Sequence, residues 1–226
     1  MNSGYFITGT DTGCGKTWIT VGLMQALQDR HFKVLAVKPV ACGEGTAELR
    51  NDDALRLQAQ ATLCLPYEDI NPYFFAAPVA PHLAARQADR TIDIDVIRKH
   101  CLRIQSKGDM LLVEGVGGWL VPLNETHTVA DLARALGWPV ILVAGIRLGC
   151  INHTLLSYGA MRRQVPVAGW VANSIDPDCL MQAELIMSLR ERIAAPFLGT
   201  VPHLSEYSPQ KIAASLDIGI LCAHGS

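Results

Sequence analysis

At 226 residues, half of them hydrophobic and 18% charged, with a net charge of −2, the chain has the apolar content of a folded core and no disorder signature. That charge balance gives no footprint for nucleic acid or an anionic membrane, no apolar run reaches the length of a membrane span, and no charged-then-apolar leader opens the chain. The expectation is a cytoplasmic protein forming one α/β domain over residues 1–226. Seven cysteines without a C-x-x-C pair read as reduced thiols rather than a disulfide frame or zinc site.

The apolar run Tyr5-Phe6-Ile7-Thr8 reads as a buried strand and leads into Gly9-Thr10-Asp11-Thr12-Gly13-Cys14-Gly15-Lys16-Thr17. A strand, a glycine-punctuated loop and a helix starting at Lys-Thr make a P-loop, in which backbone N–H groups and the helix N-terminus surround polyphosphate oxygens. Lys16 reaches the β/γ-phosphates in such a loop, and the Thr17 hydroxyl holds Mg²⁺. Five residues separate Gly9 from Gly15, one more than usual, so the loop is a lengthened variant. A dinucleotide fold is excluded because Lys-Thr stands where its third glycine is needed.

Trp18 to Arg30 carries a helical apolar stripe, and Lys33 to Val40 reads as a second buried strand. Gly43-Glu44-Gly45 begins a polar loop, Asp52 to Thr62 is helical, Asn71 to Ala88 is loose and proline-rich, and Asp93 to Gln105 is helical. Met110 to Glu114 forms a third strand, ending in a second glycine-rich loop, Gly115-Val116-Gly117-Gly118. Then come a helix (Val129–Leu136), a strand (Val140–Ala144), a helix (Ile151–Arg163), a strand (Val167–Ala172), a helix (Met181–Ile193) and a strand (Phe197–Val201). Pro209–Leu216 reads as a last helix and Ile218–Cys222 as a last edge strand. The alternation predicts a P-loop NTPase-like, mostly parallel, doubly wound sheet of about seven strands flanked by helices.

Ligands of such sheets sit at the carboxyl ends of the strands. Those ends carry the P-loop, Lys38, Glu114, the segment Leu148-Gly149-Cys150-Ile151-Asn152, Asn173 and Pro202-His203. Glu114 is the obvious carboxylate for Mg²⁺ bound to ATP, and Asp53 a second, although Asn51 or Asp52 beside it also suits a helix cap. Lys38 places a second positive charge beside the γ-phosphate, which phosphoryl transfer to an anionic acceptor exploits.

Thr8-Gly9-Thr10-Asp11-Thr12-x-x-Gly15-Lys16-Thr17 resembles the elongated P-loop of the dethiobiotin synthetase family. The resemblance continues in Lys38-Pro39-Val40-Ala41, Arg50-Asn51-Asp52-Asp53, Asn71-Pro72-Tyr73, Pro78-x-x-Pro81-His82, Val113-Glu114-Gly115-Val116-Gly117-Gly118-Trp119, Leu148-Gly149-Cys150-Ile151-Asn152-His153 and Gly169-Trp170-Val171-Ala172-Asn173. It implies ATP-dependent closure of a cyclic urea on 7,8-diaminopelargonate (7,8-diaminononanoate) using CO₂ or bicarbonate, with Mg²⁺. It further implies catalytic roles for Lys38, Lys16 and Thr12, and metal ligation by Thr17, Asp53 and Glu114. The nucleotide site it implies comprises Gly13, Cys14, Gly15, Lys16, Thr17 and Trp18, with Asp53, Glu114, Gly115, Val116 and Gly117. Asn173 matches the residue that reads adenine, with Ser174, His203, Leu204 and Ser205 nearby. Substrate contacts fall on Thr12, Lys38, Cys42, Gly149, Cys150, Ile151 and Asn152. The last four match a segment that reaches the site from a partner subunit, which implies a homodimer.

Two positions depart from the family pattern: Cys42 replaces a common Ser, and Gly13-Cys14 replaces an acidic-then-aliphatic pair in some relatives. A thiol is a weaker donor than a hydroxyl. An ATP-driven switch of the partition or septum-positioning type shares the fold class, but carries an early loop lysine where this chain has Thr10.

Overall fold

In the computed structural model, which describes residues 3–43 and 50–222, the chain opens with β1 (Ser3–Gly9) and turns into α1 (Lys16–Gln28). The turn depends on Gly13 and Gly15, at φ +75° and +86°, backbone values that favour glycine. β2 (Val34–Val37) follows, then β3 (Val40–Cys42), α2 (Asp52–Gln60), α3 (Tyr67–Ile70), β4 (Tyr73–Phe75), α4 (Pro81–Gln87) and α5 (Ile94–Gln105). The second half alternates β5 (Met110–Gly118), α6 (Val129–Leu136), β6 (Val140–Ile146), α7 (Cys150–Met161), β7 (Val167–Ser174), α8 (Gln182–Arg192) and β8 (Phe197–Val201). It closes with α9 (Pro209–Ala214) and α10 (Gly219–Cys222).

Among the described residues the main sheet has six strands in the order β2-β5-β1-β6-β7-β8, and every pairing is parallel. β2 and β6 are buried at every position, as a sheet covered on both faces requires. β1 lies at the centre: the chain leaves it toward β2 on one side and later returns to β6 on the other. This reversal opens a crevice at the strand ends, where open α/β sheets bind ligands.

The strand expected over Lys33–Val40 is broken. After Val37 the Lys38 N–H donates to the Ile70 carbonyl at 2.8 Å rather than to the sheet, and Pro39 has no N–H to offer a ladder. Val40–Cys42 therefore leaves to pair in parallel with Tyr73–Phe75, a two-stranded sheet inside the stretch expected to be loose. Gly115–Gly118, expected as a loop, continues β5 beside β1, with Gly118 opposite Gly9. The expected last edge strand is instead the short helix α10. Asp217 accepts the Gly219 N–H at 3.0 Å, which starts a turn, and the Tyr5 hydroxyl donates to the Leu221 carbonyl at 2.8 Å. The expected Glu44-Gly45 loop lies outside the described residues.

Three helix starts follow ordinary side-chain capping chemistry. Asn51 accepts from the Ala54 N–H, Asp93 from Asp95 and Val96, and Thr128 with Asp131 forms a reciprocal box. On α1 the interior Gly22 allows close approach of α9, because a Cβ there would run into the Ile212 side chain. Gly22→Val is expected to lower stability by about 1–3 kcal/mol through overpacking, read as a lower urea midpoint with an unchanged circular dichroism spectrum.

Candidate active site

The P-loop is shaped by a missing side chain and an amide. Cys14 is buried, with its sulfur filling the space beside Gly9 that a Cβ would occupy and its Cα and Cβ close to Gly145. The Asn173 amide, at the end of β7, donates to the Cys14 carbonyl at 2.9 Å and lies against Gly15, where a Cβ would collide with it. Lys16 Nζ folds over the loop and donates to the Asp11 carbonyl at 2.9 Å, while Asp11 pairs with Arg147 at 3.0 Å. This last contact joins the P-loop flank to the turn that leads into α7.

A helix start and a strand end converge on one buried carboxylate, and a second helix start joins them through Lys38. Glu114 stands on β5 opposite Ile7 of β1 and is fully buried. Its Oε1 accepts from the Thr17 hydroxyl at 2.8 Å and from Lys38 Nζ at 2.8 Å. The same Nζ donates to Asp53 Oδ2 at 2.5 Å, in the first turn of α2. Burial works against the Lys38 ammonium, but Glu114 and Asp53 outweigh it and hold its pKa above the ordinary lysine value. Burial likewise opposes ionisation of Asp53, and Lys38 overcomes it, holding the carboxyl below the usual 3.8. Glu114 Oε2 is buried without a partner. A hydroxyl and two carboxylates, one of them with an orphaned oxygen, are the hard oxygen donors that suit Mg²⁺ shared with a polyphosphate.

A cleft of about 670 Å³ opens over this cluster. Twelve of the residues expected at the site line it: Thr12, Gly13, Gly15, Lys16, Thr17, Trp18, Lys38, Cys42, Asp53, Glu114, Val116 and Gly117. Burial pushes the Cys42 thiol up to about 11 despite the nearby Lys38, so it remains a neutral thiol. Others stand off the cleft wall. Cys14 and Gly115 are buried behind it, and Asn173 supports the P-loop from beneath. Ser174 is tied to Gln182 of α8 at 3.0 Å. His203, Leu204 and Ser205 lie in the loop after β8. Gly149, Cys150, Ile151 and Asn152 form the N-terminal turn of α7, with Gly149 at φ +87° as its cap.

Sequence reasoning did not place Asn51, Val121 or the segment Pro78–Pro81 on the cleft wall; the two prolines, one before α4 and one at its first residue, were the available signal for the last. It also missed Tyr207, which packs edge-on against Trp18 at 5.3 Å and under the Arg56 guanidinium at 5.5 Å.

A family model described as an AAA domain matches residues 3–211. The chain is 49% identical over 217 residues to the ATP-dependent dethiobiotin synthetase BioD of Cellvibrio japonicus, covering 95% of each chain. It is 48% identical to the protein of the same name from Pseudomonas aeruginosa strain UCBPP-PA14, over 95% of this chain and 96% of the relative. For Nitrosospira multiformis the identity is 43%, over 96% of each. The fold is similar to that of the septum site-determining protein MinD from Pyrococcus horikoshii, solved with Mg-ADP (TM-score 0.59, 16% identity, 100% and 99% covered). It is also similar to FtsY from Elizabethkingia anophelis, solved with GDP (TM-score 0.54, 10% identity, 94% and 63% covered). These two establish a shared P-loop α/β fold.

Because Lys38 depresses the Asp53 pKa, the stability that this pair contributes is present above the ordinary carboxylate value of 3.8 and is lost as pH falls through the lower folded value. The gap in urea midpoint between wild type and Asp53→Asn is therefore expected to stay constant near neutrality and to narrow below pH 3.8. A gap independent of pH would contradict the pairing.

Proposed function

We infer the activity from one premise: the chain belongs to the dethiobiotin synthetase family. We propose that it is an ATP-dependent ligase of biotin biosynthesis, closing the cyclic urea of dethiobiotin on 7,8-diaminopelargonate with CO₂ and releasing ADP and phosphate. The observation that carries the reading is the meeting of Thr17, Lys38, Asp53 and Glu114 beneath a P-loop cleft.

In this reading one amine of the diamine takes up CO₂ to become a carbamate. A carbamate oxygen takes the γ-phosphoryl group of ATP, and the second amine attacks the carbonyl carbon as the C–O bond to phosphate breaks. Phosphorylation is required because a carbamate oxygen is a poor leaving group. Lys16 and the P-loop N–H groups hold the β- and γ-phosphates, and Lys38 with Thr12 holds the anionic acceptor, so that the developing charge meets fixed cations in a partly dry cleft. Thr17, Asp53 and Glu114 would hold Mg²⁺, which neutralises phosphate charge when bound. Cys42, as a neutral thiol, lines the diamine end and is not a nucleophile.

Asn173, Ser174 and the loop His203–Ser205 are assigned to the base side of ATP, and Gly149–Asn152 to the carboxylate of the diamine bound by a partner subunit. The α7 N-terminal N–H groups suit an anion, and Leu148 before the helix and Leu156 farther along it are exposed apolar residues. A homodimer of single-domain, cytoplasmic subunits is thus part of the proposal. Among the described residues no helix is long and apolar enough to cross a membrane.

Purified protein with Mg-ATP and bicarbonate is expected to release ADP only when the diamine is added, with dethiobiotin identified by mass. Lys38→Ala should lower kcat by about 10²-fold or more. ATP hydrolysis indifferent to the diamine would leave a P-loop switch as the better account. Sedimentation should show a dimer that Leu156→Glu weakens.

A further inference from the structure

The contacts of Lys38 conflict with the work assigned to it. Its Nζ lies between Glu114 Oε1 and Asp53 Oδ2, at 2.8 and 2.5 Å, and Glu114 Oε1 is also the acceptor of the Thr17 hydroxyl. Those carboxylates and that hydroxyl are the three groups assigned above to Mg²⁺. An ammonium on Glu114 Oε1 and Asp53 Oδ2 repels a divalent cation held by the same three side chains, so a metal entering there displaces Nζ. Two of the three Nζ donors are taken by carboxylates, whose charge already offsets the one that an anionic carbamate would meet.

The environment gives the conflict a direction. Glu114 is fully buried and Lys38 nearly so, and a carboxylate in that position requires a cation in every conformation. Lys38 reaches the cluster on a flexible stem from the point where β2 ends and β3 turns away. Its Nζ can therefore move within the cleft that it lines, whereas Glu114 on β5 cannot. The second Glu114 oxygen, buried and without a partner, remains as an acceptor that one ammonium in this position leaves unused.

We propose that Lys38 is the internal counterion of the metal site: its ammonium occupies the place that Mg²⁺ takes when Mg-ATP binds, so nucleotide binding releases Lys38 toward the reacting acceptor. The inference rests on the Mg-ATP assignment made above. It makes readiness of the acceptor site depend on prior nucleotide binding, since Lys38 carries no free positive charge while two carboxylates hold it. It also means that free Mg²⁺ without nucleotide competes poorly for Thr17, Asp53 and Glu114.

Removing the ammonium should turn the cluster into a metal site that no longer needs nucleotide. Lys38→Met is expected to bind Mn²⁺, followed by its paramagnetic resonance signal without nucleotide, at least about tenfold more tightly than wild type. Its thermal midpoint in chelator should rise when Mg²⁺ is added, while that of wild type stays unchanged; Lys38→Arg, which keeps the charge, should behave as wild type. Folding of Lys38→Met only when metal is present would be a stronger form of the same result. If it folds under neither condition, Lys38→Gln, neutral but able to donate one hydrogen bond, is measured in the same way. Equal Mn²⁺ affinities for wild type and the neutral variant would overturn the proposal, and Mn²⁺ binding to wild type with ADP would then leave the metal assignment standing. Failure of wild type to bind Mn²⁺ even with ADP would overturn both.

Discussion

The buried carboxylate of Glu114 is the constraint around which the end of the sheet is built. It stands on a central strand, opposite Ile7 and without exposure to water, and a charge there must be matched by groups that the neighbouring elements deliver. Leaving one member of such a buried pair alone costs on the order of 3–5 kcal/mol. The first turn of α1 supplies Thr17, and the break after β2 supplies Lys38. Asp53, half-exposed at the start of α2, completes the cluster but contributes less to stability because water screens it. Thr17 and Lys38, from different elements, are thus held to Glu114, and Asp53 joins them through Lys38.

The P-loop obeys a complementary, steric constraint. Its path is set where side chains are missing: Gly9 and Gly145 leave room for Cys14, and Gly15 lets the Asn173 amide approach the backbone. Through Asn173, the position of the loop depends on β7 as well as on β1. Through Asp11 and Arg147 it is joined to the turn before α7. A change at β7 or at α7 therefore reaches the phosphate loop without touching a ligand.

Much of this was legible in the chain, for a physical reason. Glycines before a Lys-Thr pair, and polar residues closing apolar runs, are local signals, so β1, the P-loop, Lys38 and Glu114 could be placed without knowing their neighbours. What was not legible depended on pairing partners distant in sequence. Val40–Cys42 reads as the continuation of a strand, yet the acceptor of the Lys38 N–H is Ile70, and that bond sends the segment to Tyr73–Phe75. Gly115–Gly118 has loop composition, yet β1 beside it keeps it extended. Ile218–Cys222 has strand composition, yet the Asp217 side chain captures the N–H that begins a helical turn. The role of Asn173 beneath the loop and the packing of Tyr207 on Trp18 likewise belong to the tertiary arrangement and leave no local pattern.

The placement of the indole rings gives the molecule a built-in optical reporter. Trp119 and Trp170 are sealed in the interior, Trp138 packs against the core beside Gly4, and of the four tryptophans Trp18 alone lines the cleft. Its position follows Lys16 and Thr17 directly, and its face is held by Tyr207. Ligands entering the cleft change the polarity and the quenching groups around one chromophore, against a steady background from three others. Occupancy of the cleft can thus be followed by intrinsic emission, without a label.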